Sequence, residues 1–179
     1  MYKPIYWYHG NVKFPDTEVE QVINELERLG SELIKREDAI SSYHLKIFSR
    51  PDKIWRARYG EIVEEITKSI GIESTTRYIY EYWAQLYFKK NKHHAHHHWR
   101  GPSTISFVHF IRPTDENCFK FIDNDGYDHP LPEQREGDIV CFPSYVWHRV
   151  APLESGKRFV VAGNIEIEHQ DRHWRDLKL

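Results

Sequence analysis

From residue 77 onward the sequence alternates short apolar runs with turn residues, and this pattern constrains the fold more than any other feature. The runs are rich in aromatic and β-branched residues: RYIYEYWAQLYF (77–88), HHAHHHW (93–99), TISFVHFI (104–111), CFKFI (118–122), GDIVCFP (137–143), VWHRVAP (146–152) and RFVVAGNIEI (158–167). Six to eight short strands with regular breaks predict a β-sandwich or barrel, and we expect one of the jelly-roll type.

Two amphipathic helices are predicted before these strands. One runs from Pro15 to about Glu37, with a capping box at Thr17 and Glu20, and the second spans 59–70 and is closed by Gly71. We therefore expect a mainly β fold with accessory helices. Residues 1–179 are predicted to form a single domain, with a mostly helical accessory segment (1–73), a double-stranded β-helix core (74–167) and a polar tail (168–179).

Composition argues against several classes of function. A net charge of −2 over 179 residues gives no general attraction to nucleic acid or anionic lipid. No apolar run is long enough to span a membrane, and the N-terminus lacks a signal-peptide pattern. Cys118 and Cys141 are too few for a disulfide framework, so a cytoplasmic location is expected.

Five of the twelve histidines stand within six positions, from 93 to 98. Side chains alternate between the faces of a strand, so His94, His96 and His98 are predicted to share one face while His93 and His97 share the other. Two imidazoles two residues apart can chelate one metal ion, and a histidine from a distant strand can complete the site. The alternative is a solvated polar strand with ordinary hydrogen bonds.

Two downstream residues complete this hypothesis. The stretch GDIVCFPSYVWHRVAP (137–152) predicts a buried strand, a break at Pro143 and Ser144, and a new strand at His148, which can supply the distant ligand. Arg158, ten residues after His148, begins an otherwise apolar strand. Such an arginine requires an anionic partner, either a surface carboxylate or the carboxylate of a bound substrate.

With these residues in view, the sequence resembles the iron(II)- and 2-oxoglutarate-dependent dioxygenases, specifically the small bacterial and phage-type members. On a double-stranded β-helix, that superfamily carries a His-x-Asp/Glu pair, a distal His and a downstream arginine that binds the far carboxylate of 2-oxoglutarate. The resemblance covers roughly 78–167 and implies that His96, His98 and His148 bind iron while Arg158 binds 2-oxoglutarate. In the prolyl-hydroxylase branch a tyrosine stands nine residues before the first histidine, as Tyr87 does here, which implies a cofactor-binding role for Tyr87.

Two positions depart from the pattern of the superfamily. His98 occupies the carboxylate position, so the third ligand stays open between His98 and the carboxylates of Asp123 or Asp125. His94 competes with His96 for the first position because both lie on the same predicted face. Val160 stands where relatives often have a serine, which removes one hydrogen bond to the cosubstrate.

The activity implied by the resemblance is hydroxylation of an unidentified small-molecule or peptide substrate, with iron(II) as cofactor, 2-oxoglutarate as cosubstrate, and release of succinate and CO2. One rival hypothesis is a metal-binding cupin without 2-oxoglutarate chemistry, which does not need Arg158. Another is a non-enzymatic module that holds a structural metal. The sequence selects neither the substrate nor the oligomeric state, and a homodimer is compatible with it.

Overall fold

The computed structural model describes residues 4–33, 39–72, 78–98 and 104–167. Within these ranges ten strands form two antiparallel sheets. The larger sheet has the order β1-β8-β5-β10-β3-β2 and the smaller one the order β4-β9-β6-β7. The strands are β1 Trp7–Asn11, β2 Ile40–Ser41, β3 Tyr78–Phe88, β4 His93–His96, β5 Ile105–Arg112, β6 Phe119–Ile122, β7 Asp128–Pro130, β8 Asp138–Pro143, β9 His148–Val150 and β10 Lys157–Ile167.

This arrangement confirms the predicted mainly β, jelly-roll fold with two accessory helices. Each of the seven predicted runs contains a strand, although β4 ends at His96 and Trp99 lies outside the described residues. Three short strands were not predicted. Two of them, β1 and β2, come from the segment expected to be mostly helical and pair with β8 and β3 in the larger sheet.

Both predicted helices are present. Helix α1 spans Asp16–Leu33 and α2 spans Arg56–Ser69, with short 3-10 helices at Ser42–His44, Ile47–Ser49 and Pro51–Trp55. The capping box at Thr17 is wrong, because the Pro15 carbonyl already accepts the first helical hydrogen bonds and Thr17 lies inside the first turn. Gly71 ends α2 as predicted, with a φ of 77° that favours glycine.

The larger sheet separates two hydrophobic cores. One face packs against α1 and α2 through side chains such as Val22, Leu26, Tyr59 and Val63, all buried. The other face meets the smaller sheet around a cluster of aromatic rings that includes Phe110 and Phe142. The helices therefore cover one side of the larger sheet, and the space between the sheets is left for a site.

The central strand β10 determines which side chains face that space. It pairs with β3 along its whole length and with β5 over most of it. Paired residues of neighbouring antiparallel strands project to the same face. Arg158 therefore lies beside Tyr87, and Asn164 lies between Glu81 of β3 and Ser106 of β5.

Neither α1 nor α2, nor any other helix in the described ranges, combines the length and apolar character that crossing a bilayer requires. Cys118 and Cys141 are both buried and unpaired.

A substitution at Gly163 can test how closely β10 packs against its neighbours. A Cβ atom there would meet ring atoms of Phe107 and lie 2.7 Å from the Glu81 carbonyl oxygen, a backbone atom that cannot easily move. We expect Gly163→Ala to lower the free energy of unfolding by about 1–3 kcal/mol, as overpacking does. Urea unfolding measures this.

Gly10→Ala is the control, because no atom lies within 4 Å of a Cβ built at Gly10. Its unfolding free energy should change by less than about 1 kcal/mol. Equal stabilities of the two variants would contradict the packing described for β10.

Candidate metal centre

Three histidines converge at one end of the smaller sheet. Strand pairing sets His96 of β4 directly opposite His148 of β9. The chain leaves β4 after His96, and the backbone N–H of His98 donates to the Ser144 carbonyl at 2.7 Å, which fixes the segment beside the end of β8. Each of the three side chains offers a nitrogen, and these nitrogens all lie within 4.8 Å of one another.

Backbone carbonyls determine which nitrogen is available on two of these rings. Nδ1 of His148 lies 3.0 Å from the Val146 carbonyl oxygen, and Nδ1 of His96 lies 2.8 Å from that of His94. A carbonyl can only accept, so Nδ1 carries the proton and Nε2 of a neutral ring keeps its lone pair. Nε2 of His98 is buried without a hydrogen-bond partner. Such a set of nitrogens could hold a metal ion, and the backbone contacts already orient two of the rings.

The environment keeps the three imidazoles neutral. Burial is the main cause in each case: it lowers the pKa of His96, lowers that of His98 to about 4, and lowers that of His148 well below its usual value. The neighbouring histidines add to the effect at His98 and His148, because adjacent positive charges are unfavourable. Neutral imidazole is the form that binds a metal.

The predicted alternation of faces is wrong for two histidines. A register shift between His93 and His96 breaks the regular pairing of β4 with β9. As a result the ring of His93 stacks on His96, with centroids 4.4 Å apart, and lines the same cavity, whereas His94 is exposed. His94 lies outside the histidine group. His97 is in the predicted position away from the group, with its ring packed edge-on against Trp147 at 4.5 Å.

The two aspartates considered as the third ligand lie elsewhere. Asp123 accepts hydrogen bonds from the backbone N–H groups of Asp125 and Tyr127 and contacts the His129 ring at 2.8 Å. The hydrogen bond from His129 is the main reason that its pKa is lowered. Asp125 is exposed, and neither residue belongs to the histidine group. The structure therefore uses Asp123 to organise the turn between β6 and β7.

The histidine group opens into a cavity of about 610 Å³ between the sheets, a size suited to small ligands. Its floor consists of the inward side chains of β3, β5 and β10, and Phe119 and Phe142 contribute to the wall. Among the described residues that line it there is no aspartate or glutamate. The described lining therefore combines apolar walls with neutral polar groups, and it carries one formal positive charge.

That charge belongs to Arg158, whose position is the most informative feature of the cavity. Its side chain is 1% exposed, and Nε, Nη1 and Nη2 have no hydrogen-bond partner. The guanidinium lies 5.3 Å from the ring centroid of Tyr87 and 5.6 Å from that of Phe110. Aromatic faces stabilise a cation only modestly, whereas a buried charge without a partner is costly. An anionic ligand in the cavity would supply the missing hydrogen bonds.

Tyr87 contacts this arginine through its aromatic ring, over which the guanidinium lies. The residue is 1% exposed and its hydroxyl donates to Oε1 of Gln85 at 3.1 Å. Sequence reasoning missed Gln85, together with Asn164 and His93, as cavity residues. The period-two pattern of β3 and β10 could have found the first two, since both lie an even number of residues from Tyr87 or Arg158.

Solved structures resemble this chain, whereas comparisons of its sequence find no relative. No protein-family model matches the sequence, and no curated protein matches it. A prolyl-4-hydroxylase from Pseudomonas putida superposes with a TM-score of 0.60 at 16% identity, over 92% of this chain and 93% of that one. HygX from Streptomyces hygroscopicus, with nickel and 2-oxoglutarate bound, gives 0.61 at 12% identity over 91% and 83%.

A third structure belongs to the same group of folds. SnoN, a non-haem α-ketoglutarate-dependent epimerase from nogalamycin biosynthesis, superposes with a TM-score of 0.60 at 12% identity, over 90% of this chain and 77% of that one. At these identities the likeness establishes a shared fold. This chain has the double-stranded β-helix fold found in these oxygenase structures.

The metal site can be tested at single histidines. His96→Ala or His148→Ala removes one of three converging nitrogens, so we expect each to abolish stoichiometric binding of Fe(II), measured by anaerobic calorimetry. His94→Ala is the control, because that side chain is exposed and the substitution keeps the carbonyl that holds His96. Loss of metal in His94→Ala as complete as in His96→Ala would contradict the ligand set.

Proposed function

We propose that this chain is an iron(II)- and 2-oxoglutarate-dependent oxygenase. The observation that carries the proposal is the buried, unpartnered guanidinium of Arg158 in the cavity that also contains the three converging histidines. A metal site alone explains the histidines, but only an anionic ligand explains the arginine. A dicarboxylate that binds the metal at one end and Arg158 at the other accounts for both.

The residues present fit these two groups. His96, His98 and His148 would hold the iron through neutral imidazole nitrogens, which suit iron(II) as well as zinc and copper. Arg158 offers a planar fork of donors that matches a carboxylate. Tyr87 would bind the cosubstrate indirectly, since its ring packs against the guanidinium and thereby orients it. That superposable structures include one with nickel and 2-oxoglutarate bound supports the assignment.

When bound, iron(II) and 2-oxoglutarate supply the oxidising chemistry: with dioxygen they yield succinate, CO2 and one oxygen atom for the substrate. The chain itself binds, orients and excludes water. The carbonyls of His94 and Val146 fix the rings of His96 and His148. The buried rings of Phe119 and Phe142 keep the surroundings of His148 dry.

We propose hydroxylation of a C–H bond as the reaction. The shared fold also supports epimerisation, as the SnoN structure illustrates, so hydroxylation rests on its being the usual outcome of this chemistry. The substrate is a small molecule or a peptide, and we place the protein in the cytoplasm, where two unpaired buried cysteines such as Cys118 and Cys141 are ordinary.

Arg158 separates this proposal from a metal-binding cupin. Its hydrogen bonds to a carboxylate should contribute about 1.5–3 kcal/mol, so Arg158→Ala should weaken 2-oxoglutarate binding about 10- to 100-fold. Arg158→Lys should recover only part of this, because lysine offers a point charge without the fork. The measurement is an anaerobic 2-oxoglutarate titration of the iron-loaded protein, followed by the visible charge-transfer band.

Arg135→Ala is the matched control, since it removes the same charge from an exposed side chain that pairs with Glu133 and does not line the cavity. It should bind 2-oxoglutarate as the wild type does, and Fe(II) affinity should stay unchanged in all three variants. Absence of saturable 2-oxoglutarate binding by the wild type would refute the proposed function and favour the cupin hypothesis.

A further inference from the structure

A carboxylate bound by Arg158 needs more hydrogen-bond donors than one guanidinium provides. Its two oxygens offer about four lone-pair positions, and a guanidinium fork fills two of them. Arg158 is 1% exposed, so a carboxylate paired to it is also removed from bulk water, where an acceptor without a donor is costly. A further donor close to Arg158 would complete the site.

Strand register limits the candidates for this donor. Arg158 of β10 pairs with Tyr87 of β3, and the next pair that faces the cavity is Val160 with Gln85. On its other side Val160 pairs with Phe110 of β5. Val160 and Phe110 carry no side-chain donor. Among these neighbours of Arg158 on the cavity face, the polar side chains are therefore Tyr87 and Gln85.

A hydrogen bond between these two side chains determines which of them keeps a donor. The hydroxyl of Tyr87 donates to Oε1 of Gln85 at 3.1 Å, and a hydroxyl has one proton to give. The three guanidinium nitrogens of Arg158 have no partner, so the amide oxygen is not bonded to Arg158 either. Gln85 thus turns its acceptor toward Tyr87 and retains an Nε2 amino group with two N–H donors.

We propose that Gln85 is a binding residue for the far carboxylate of 2-oxoglutarate and shares that carboxylate with Arg158. Nε2 of Gln85 donates to a lone pair that the guanidinium leaves free, while the Tyr87 hydroxyl orients the amide. Gln85 and Arg158 are diagonal neighbours on adjacent strands, which lie about 7–8 Å apart and within reach of long side chains. The inference rests on the proposed function, which places 2-oxoglutarate in this cavity.

A neutral amide suits this position better than a second charge. The described lining of the cavity carries one formal positive charge, that of Arg158, and no aspartate or glutamate. One guanidinium and one carboxylate leave this end of the cavity electrically neutral, and Gln85 adds a donor without disturbing that balance. A ligand with an apolar far end would leave the donors of both residues unpaired, so Gln85 also favours dicarboxylates over monocarboxylates.

The test is an anaerobic titration of the Fe(II)-loaded full-length chain with 2-oxoglutarate, with the Kd taken from the visible charge-transfer band. Gln85→Met keeps the length of the side chain and removes its donors, so it should raise the Kd about 10-fold. Gln85→Glu places a like charge beside the far carboxylate and should raise the Kd at least about 100-fold. Gln21→Met, the same change at an exposed position of α1, should leave it unchanged.

Tyr87→Phe distinguishes the amide from the tyrosine hydroxyl as the donor. It keeps the ring against the guanidinium and removes only the group that orients Gln85, so the Kd should rise by no more than about threefold, or about 0.7 kcal/mol. An amide in the reverse orientation would donate to the Tyr87 oxygen and make the hydroxyl the donor, so Tyr87→Phe would then be as damaging as Gln85→Met. If Gln85→Met does not fold, as judged by its melting transition without ligand, Gln85→Leu removes the same donors.

Three results would each overturn the inference: a Kd in Gln85→Met equal to that of the wild type, a Kd in Gln85→Glu no higher than in Gln85→Met, or a loss in Tyr87→Phe as large as in Gln85→Met. Failure of the wild type to bind 2-oxoglutarate would instead refute the proposed function. Tight binding by the wild type and by both Gln85 variants would leave the proposed function intact, so the two failures are distinguishable.

Discussion

The pairing of β10 with β3 on one side and β5 on the other determines where the candidate site lies. These three strands form the centre of the larger sheet, and their register aligns polar residues in rows across it. One row places Arg158 beside Tyr87, and another joins Glu81, Asn164 and Ser106. The positions of Arg158 and Tyr87 in the cavity depend on this register, because a slip of one residue would turn both rows toward the helices.

The kind of ligand that the cavity accepts is determined by a second feature: the guanidinium of Arg158 is buried and its hydrogen-bond donors have no partner. Arg158 is fully enclosed, yet its guanidinium contacts aromatic faces and no acceptor. Folding does not favour such an arrangement for stability, since a buried charge without a partner is destabilising. The chain tolerates the cost where a ligand provides the partner, and the neutral histidines at the other side of the cavity provide the second attachment point. The structure thus selects a ligand that is anionic and also able to bind a metal.

Most of the strands, both helices and several candidate site residues were predictable from the sequence, for reasons that differ from residue to residue. Strands such as β10 are evident from their β-branched and aromatic residues. The buried face of α2 is evident from apolar residues that recur at helical spacing. His148 and Arg158 could be singled out as candidates because each lies at the start of a predicted strand beside apolar residues. Strict alternation failed at His93 and His94, since a register shift in β4 depends on its partner β9, which is distant in sequence.

Other features could not be predicted without knowing which residues are paired across neighbouring strands. The link from Glu81 through Asn164 to Ser106 joins three strands, and no local pattern records which residues are cross-strand partners. The short strands β1 and β2 were missed for a related reason: each is short and is defined by its pairing with a longer strand. The role of Asp123 as the organiser of a turn became visible only from its hydrogen bonds.

The most direct test of the central claim is a crystal structure of the chain grown without oxygen in the presence of Fe(II) and 2-oxoglutarate. The account predicts one metal ion at about 2.0–2.1 Å from a ring nitrogen of each of His96, His98 and His148, with the far carboxylate of 2-oxoglutarate paired to the guanidinium of Arg158. A metal bound by Asp123 or Asp125 with His98 turned away, or 2-oxoglutarate bound without contact to Arg158, would contradict it.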